Sequence, residues 1–224
     1  MIRTGNIFFD FISFLALVLP LLPAITVFFK KNYNNDSLVF LMLLCFLSFV
    51  RSLLLFIPNL NDASQTIIAN IFGVAEFIIL TFIFKTKMFL QFKSIINLVF
   101  AIIISVIITI YLLKGPAQKI FVIEQFENSL IVFMSVLCIA ELTGSSYLHI
   151  FDKPVFWIAV GSLFYFVPAV LLKSLISLNS KNSDAEISGT ILLLSIANIV
   201  KYFFYLLAFF FYKNSNQEIT DKLN

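Results

Sequence analysis

The sequence predicts an all-α, polytopic membrane protein: a bundle of seven transmembrane helices with its N-terminus outside and its C-terminus in the cytoplasm. Three observations carry that prediction. Seven long apolar stretches follow one another with only short polar segments between them. Of the 224 residues, 61% are hydrophobic and 12% charged, too apolar a mixture to bury inside a water-soluble fold of this size. The mean hydropathy is +1.03. A hydrocarbon core about 30 Å thick takes roughly 20 apolar residues per helix, and unpaired backbone cannot face lipid, so spans of this length are helices.

The first span reads as Ile7–Phe29, behind Arg3. It is too long for the apolar region of a secretory signal, holds Asp10, Pro20 and Pro23, and lacks a small-residue cleavage site. The second, Ser37–Ile57, follows the polar run 30–36, and the third, Ile67–Phe84, follows the turn cluster Pro58-Asn59-Leu60-Asn61-Asp62. The fourth, Ser94–Leu113, ends at Lys114-Gly115-Pro116, two helix breakers in succession. The fifth and sixth are Ile120–Thr143 and Val155–Leu178, and the seventh, Gly189–Tyr212, follows the polar segment 179–184. Residues 1–213 thus form a single transmembrane domain and 214–224 a short tail. Pro20, Pro23 and Pro168 fall inside spans, where kinks repaired by neighbouring helices are expected.

Basic residues near span ends set the orientation. Lys30, Lys31, Lys85, Lys87, Lys93, Lys153, Lys213 and Lys222 fall on one side, and Arg3, Lys114, Lys119 and Lys181 on the other. Eight against four places the first group in the cytoplasm. The net charge of +3 is spread over loops and forms no nucleic-acid stripe. Cys45 and Cys138 lie within spans as small packing residues. The abundance of Phe (29 residues) fits a composition bias acting on lipid-facing positions. Trp157, the one tryptophan, opens the sixth span as an expected interface anchor.

Ionisable residues inside a membrane span are costly and mark candidate sites. Here they are Asp10, Arg51, Glu76, Glu124, Glu127, Glu141, Lys173 and Lys201. At 1.5 Å per residue, Asp10, Glu124 and Glu127 lie within about 10 Å of the outer helix ends, with Arg51 and Lys173 at a similar level. Snorkelling with interhelical ion pairs is one reading of this group; an outward-facing cavity for a small polar ligand is the other. Glu141 lies at the cytoplasmic end of its span. Glu76 and Lys201 fall near the midplane, where each is the other's evident neutraliser. Lys201 belongs to a stripe with Ser195, Asn198, Tyr202 and Tyr205, and Glu76 to one with Asn70 and Gly73. The candidate ligand-binding residues are therefore Asp10, Arg51, Glu76, Glu124, Glu127, Lys173, Asn198 and Lys201. His149 stands alone in a loop, so neither a metal site nor a cofactor is expected. Gly-x-Ser-x-Gly, His-Glu-x-x-His and Walker A motifs are absent, which argues against an enzyme; a lipid-modifying reading would have only Glu141 and His149 to draw on.

A mid-helix lysine resembles that of microbial rhodopsins, but Ala197 stands where that family has an acidic residue. The segments Lys153-Pro154-Val155-Phe156-Trp157-Ile158-Ala159-Val160-Gly161-Ser162-Leu163-Phe164-Tyr165 and Ile196-Ala197-Asn198-Ile199-Val200-Lys201-Tyr202 resemble small seven-helix membrane proteins and sensor-kinase input domains common in Bacteroidota. That resemblance covers about a third of the chain. It implies a sensory or signalling module of a bacterial inner (cytoplasmic) membrane, to which the outer charges add an outward polar pocket. Because 214–224 hold no ATP-binding domain or phosphoacceptor helix, a signal would pass to a separate sensor kinase or other signalling partner. The alternative is a small-solute transporter using Glu76 and Lys201 at the midplane.

Overall fold

A chain this apolar has to satisfy its backbone internally, and the computed structural model does so with helices alone. It describes residues 7–30, 35–55, 57, 60–85, 93–115, 121–145, 147–178 and 184–212, with side chains for all of these but 7–10, 13, 27–30, 93–99, 145, 147–149, 176–178 and 184–188. Eight α-helices occur among them: α1 (Ile7–Val18), α2 (Leu21–Lys30), α3 (Asp36–Leu55), α4 (Asp62–Lys85), α5 (Lys93–Lys114), α6 (Phe121–Ser145), α7 (Pro154–Leu178) and α8 (Asp184–Phe210). A 3-10 turn, Tyr147–Asp152, joins α6 to α7. No strand occurs among the described residues. Five helices, α3, α4, α6, α7 and α8, are long and apolar enough to cross a membrane; 14–26 and 100–114 form shorter apolar helical stretches. The side chains of Asp10 and His149, the loop lysines Lys31, Lys87, Lys119 and Lys181, and the tail 214–224 lie outside the described residues.

The expected first span, Ile7–Phe29, is not one continuous helix. It divides at Leu19-Pro20 into α1 and α2. Leu19 N–H still donates to the Leu15 carbonyl at 2.9 Å, after which Leu22 N–H turns back to the Leu19 carbonyl at 3.1 Å. Pro20 has no N–H for the Ala16 carbonyl and its ring crowds that carbonyl, so the regular ladder stops there. Pro23, in the first turn of α2, would have had no intrahelical partner anyway. Pro168 differs again: α7 runs through it unbroken.

Short polar residues set the other ends. Asn35 Oδ1 accepts from Ser37 N–H at 3.0 Å to open α3, and Asn61 Oδ1 from Ser64 N–H at 2.8 Å to open α4. Gly115, at φ 87°, takes the left-handed conformation that closes α5, its N–H donating to the Tyr111 carbonyl at 3.0 Å. Pro154 occupies the first position of α7, where a missing N–H costs nothing. Ser52, Thr66, Thr109, Ser135 and Ser195 each donate their hydroxyl to the carbonyl four residues earlier. These polar groups are thereby satisfied without leaving an apolar helix.

The most extensive packing is between α7 and α8, then α6 with α7 and α3 with α4. Ser162 meets Tyr205 of α8, and Trp157, earlier in α7, meets Phe211 just past the end of α8, so the two helices are antiparallel. They approach closely at Gly161: a Cβ there would lie 2.9 Å from the Lys201 carbonyl oxygen and 2.9 Å from Phe204 Cβ. Small residues at a helix contact let backbones come together where no hydrophobic drive separates helix from lipid. Helix α5 is the least embedded, meeting chiefly α4 and leaving Leu112 and Leu113 77% and 81% exposed. At one end, where α3 and α7 begin and α4 and α8 finish, the interior is filled by Leu38, Leu41, Phe84, Ile158, Ala208 and Phe209, all buried. At the other end the helices stand apart.

Candidate functional site

At that second end a cavity of about 490 Å³ enters between α3, α4, α5, α6 and α7. Along α4 its wall runs from Asp62, exposed at the rim, through Gln65, Thr66, Asn70 and Gly73 to Glu76. Those fourteen steps of helix correspond to about 21 Å of depth. Helix α3 contributes Arg51; α5 contributes Tyr111; α6 contributes Glu124, Glu127, Asn128 and Ile131; α7 contributes Tyr165, Phe166 and Lys173. Apart from Phe77, Ile131 and Phe166 near its floor, the lining is predominantly polar.

Glu76 and Lys201 meet at the floor, Lys201 Nζ donating to Glu76 Oε1 at 2.9 Å. The lysine side chain is 3% exposed and the glutamate 13%, so the cavity reaches the pair from the carboxylate side. Lys201 Nζ also lies 4.2 Å from the centroid of the Tyr165 ring and 4.8 Å from that of Tyr202. Aromatic faces and a carboxylate together replace the water this ammonium has lost. Tyr205, fully buried one turn further along α8, is held through its hydroxyl to Ser162 Oγ at 3.0 Å.

A second ion pair lies nearer the rim, where Lys173 Nζ donates to Glu124 Oε1. These side chains are 21% and 35% exposed, so water screens them far more than the floor pair. Beside them Gln125 Nε2 donates to the Val170 carbonyl at 3.1 Å and to Ser174 Oγ at 2.9 Å, tying α6 to α7. Glu127, one turn deeper than Glu124, is only 5% exposed, and its Oε1 is buried without a hydrogen-bond partner. Arg51 and Glu76 additionally share a small recess between α3 and α4 with Ser48 and Phe72.

Of the eight residues singled out from sequence, Arg51, Glu76, Glu124, Glu127 and Lys173 line this one cavity, and Lys201 lies directly beneath it. Asn198 is half-buried on α8 and is not among the lining residues. The side chain of Asp10 is outside the described residues. Sequence reasoning missed Tyr111, Gln125, Asn128 and Tyr165. The run Glu124-Gln125-Phe126-Glu127-Asn128 carried a usable signal, since four polar residues in five within an apolar span demand an inward face. Trp157 donates its Nε1–H to the Phe151 carbonyl at 2.7 Å and stacks on Phe211 with centroids 5.3 Å apart. Among the described residues no three His, Cys, Asp or Glu side chains converge as a metal site would require.

Comparison with protein-family models, with curated proteins and with solved structures gave no match for this chain.

Proposed function

We propose that this chain is a seven-helix integral membrane receptor, with its N-terminus outside, that binds a small polar ligand in the cavity and signals through a separate cytoplasmic or membrane partner. The observation that carries this reading is the blind polar cavity: it enters the bundle from one end and stops at the Glu76–Lys201 pair. Beyond the pair, Leu80, Ile83, Phe84 and Cys138 are buried and close-packed. A pocket of a few hundred Å³ with convergent polar groups is the usual form of a small-molecule site. A closed far end suits a protein that senses from one side without conducting. Lys85 and Lys153 lie at the packed end, and the positive-inside tendency, by favouring that end for the cytoplasm, supports an outward direction for the cavity. Apolar side chains on the outer surface, including Phe11, Phe14, Phe46, Phe133 and Leu175, would face lipid.

The test is thiol accessibility with topology. In a background lacking Cys45 and Cys138, Thr66→Cys and Gly73→Cys should react with a membrane-impermeant maleimide added outside and not with the same reagent confined to the cytoplasmic side. Reporter fusions at Lys31 and Asn214 should both report cytoplasm. Labelling of Gly73→Cys from both sides would move the assignment to an alternating-access transporter with Glu76 and Lys201 at its gate. Protection from both sides would remove the ligand cavity.

A further inference from the structure

The charges around the cavity do not balance. Its walls carry Asp62, Glu76, Glu124 and Glu127 against Arg51 and Lys173, with Lys201 beneath, leaving one surplus negative charge. Two of the carboxylates are committed: Glu76 to Lys201, Glu124 to Lys173. Asp62 stands exposed at the rim, where water solvates it. Glu127 has neither remedy. It is 5% exposed, it lines the cavity, and its Oε1 is buried with no donor. Burying a carboxylate oxygen without a hydrogen bond is unfavourable enough that such an atom calls for a partner.

The space beside Glu127 is shaped to receive one. Gly73 faces it from α4, and even an added Cβ there would lie 4.0 Å from Glu127 Oε2. Asn128, also buried, lines the cavity next to it in sequence. Phe77 and Tyr111 supply aromatic surface, which favours a cation over an anion. An anion would lie against the unpaired carboxylate; of the cavity's cations, Lys173 and Lys201 are already engaged and Arg51 shares the recess of Glu76, away from Glu127.

We propose that the cavity binds a small organic cation bearing a primary ammonium group, with Glu127 as its counter-ion and Phe77 and Tyr111 as its apolar walls; this rests on the ligand-cavity reading above and names the ligand class. A primary ammonium brings N–H donors to the Glu127 carboxylate on its Oε2 side, which faces Gly73, and a quaternary ammonium does not. A simple alkali cation would need several oxygens around it, whereas an alkylammonium needs one carboxylate and a place for its chain.

The full chain in lipid nanodiscs would be titrated with n-butylammonium, and with tetramethylammonium, sodium and butyrate at matched ionic strength, following the thermal unfolding midpoint. Only n-butylammonium should raise the midpoint saturably. Glu127→Gln, nearly isosteric, should weaken that response on the order of tenfold or more, the loss expected for a charge-assisted hydrogen bond. Gly73→Leu, which fills the space while leaving the carboxylate, should abolish it. An undiminished response in Glu127→Gln, an equal response to tetramethylammonium, sodium or butyrate, or no response to n-butylammonium overturns the proposal. Outside labelling of Gly73→Cys separates the two levels: labelling with no n-butylammonium effect defeats the cation assignment alone, whereas absence of labelling defeats the cavity reading with it.

Discussion

The two ends of this bundle are built from the same helices yet solve opposite problems. At the packed end, Leu38, Leu41, Phe84, Ile158 and Phe209 fill the interior with no charged side chain among them. At the hollow end, charges on α3, α4, α6 and α7 surround a cavity of about 490 Å³. The Glu76–Lys201 pair sits at the boundary and belongs to both: the ammonium is sealed among aromatic rings and the carboxylate opens toward the cavity. Polarity in this fold is therefore graded by depth. The value of an ion pair should follow that gradient, rising as water is withdrawn.

The gradient can be broken most forcefully at the boundary. Lys201→Met or Glu76→Gln alone leaves one uncompensated buried charge and should cost about 3–5 kcal/mol, seen as a lower melting point in detergent and poorer expression. The double variant should regain much of that loss, because apolar replacement of a whole buried pair is often nearly neutral. Strictly additive losses would show that the two residues do not share an interaction. A smaller effect is expected on the α7–α8 contact. Gly161→Ala places a methyl 2.9 Å from the Lys201 carbonyl oxygen and should cost about 1–3 kcal/mol by overpacking. A neutral result would mean that the two helices can separate freely at this point. The smallest effect belongs at the rim. Glu124→Gln should change stability by less than about 1 kcal/mol and by less still in high salt, since exposed pairs are weak and screened. A loss comparable to that at Glu76 would abolish the depth rule.

How far the sequence revealed this arrangement depended on which property was asked of it. Helices were legible because seven apolar runs leave a backbone no other way to pair, and the meeting of Glu76 with Lys201 was legible because neither charge had another plausible partner at that depth. The fate of Pro20 was not legible. A proline in a helix can kink it or end it, and the outcome depends on packing: α1 makes most of its contacts with α8, whereas α2 makes most of its contacts with α3. The stripe on α8 spreads around its helix for a different reason. Steps of three residues rotate by about 300°, so each retreats roughly 60° around the helix. Relative to Lys201, Asn198 and Ser195 drift progressively aside, and Ser195 donates to its own helix at the Ile191 carbonyl. Tyr205, a step of four, stays on the buried face. Tyr111 was missed because cavity walls are set by how far neighbouring helices stand apart, a quantity that no periodicity along one helix contains.

The close contact at Gly161 has a mechanical consequence. With backbone close to backbone there, and Ser162 tied to Tyr205 one residue on, α7 and α8 are held in register. They form a strut. From Lys173 at the cavity rim to Trp157 at the opposite end, sixteen residues of α7 give this strut a length of about 24 Å. Pro168 lies within this length, and the aromatic stack of Trp157 on Phe211 closes its far end.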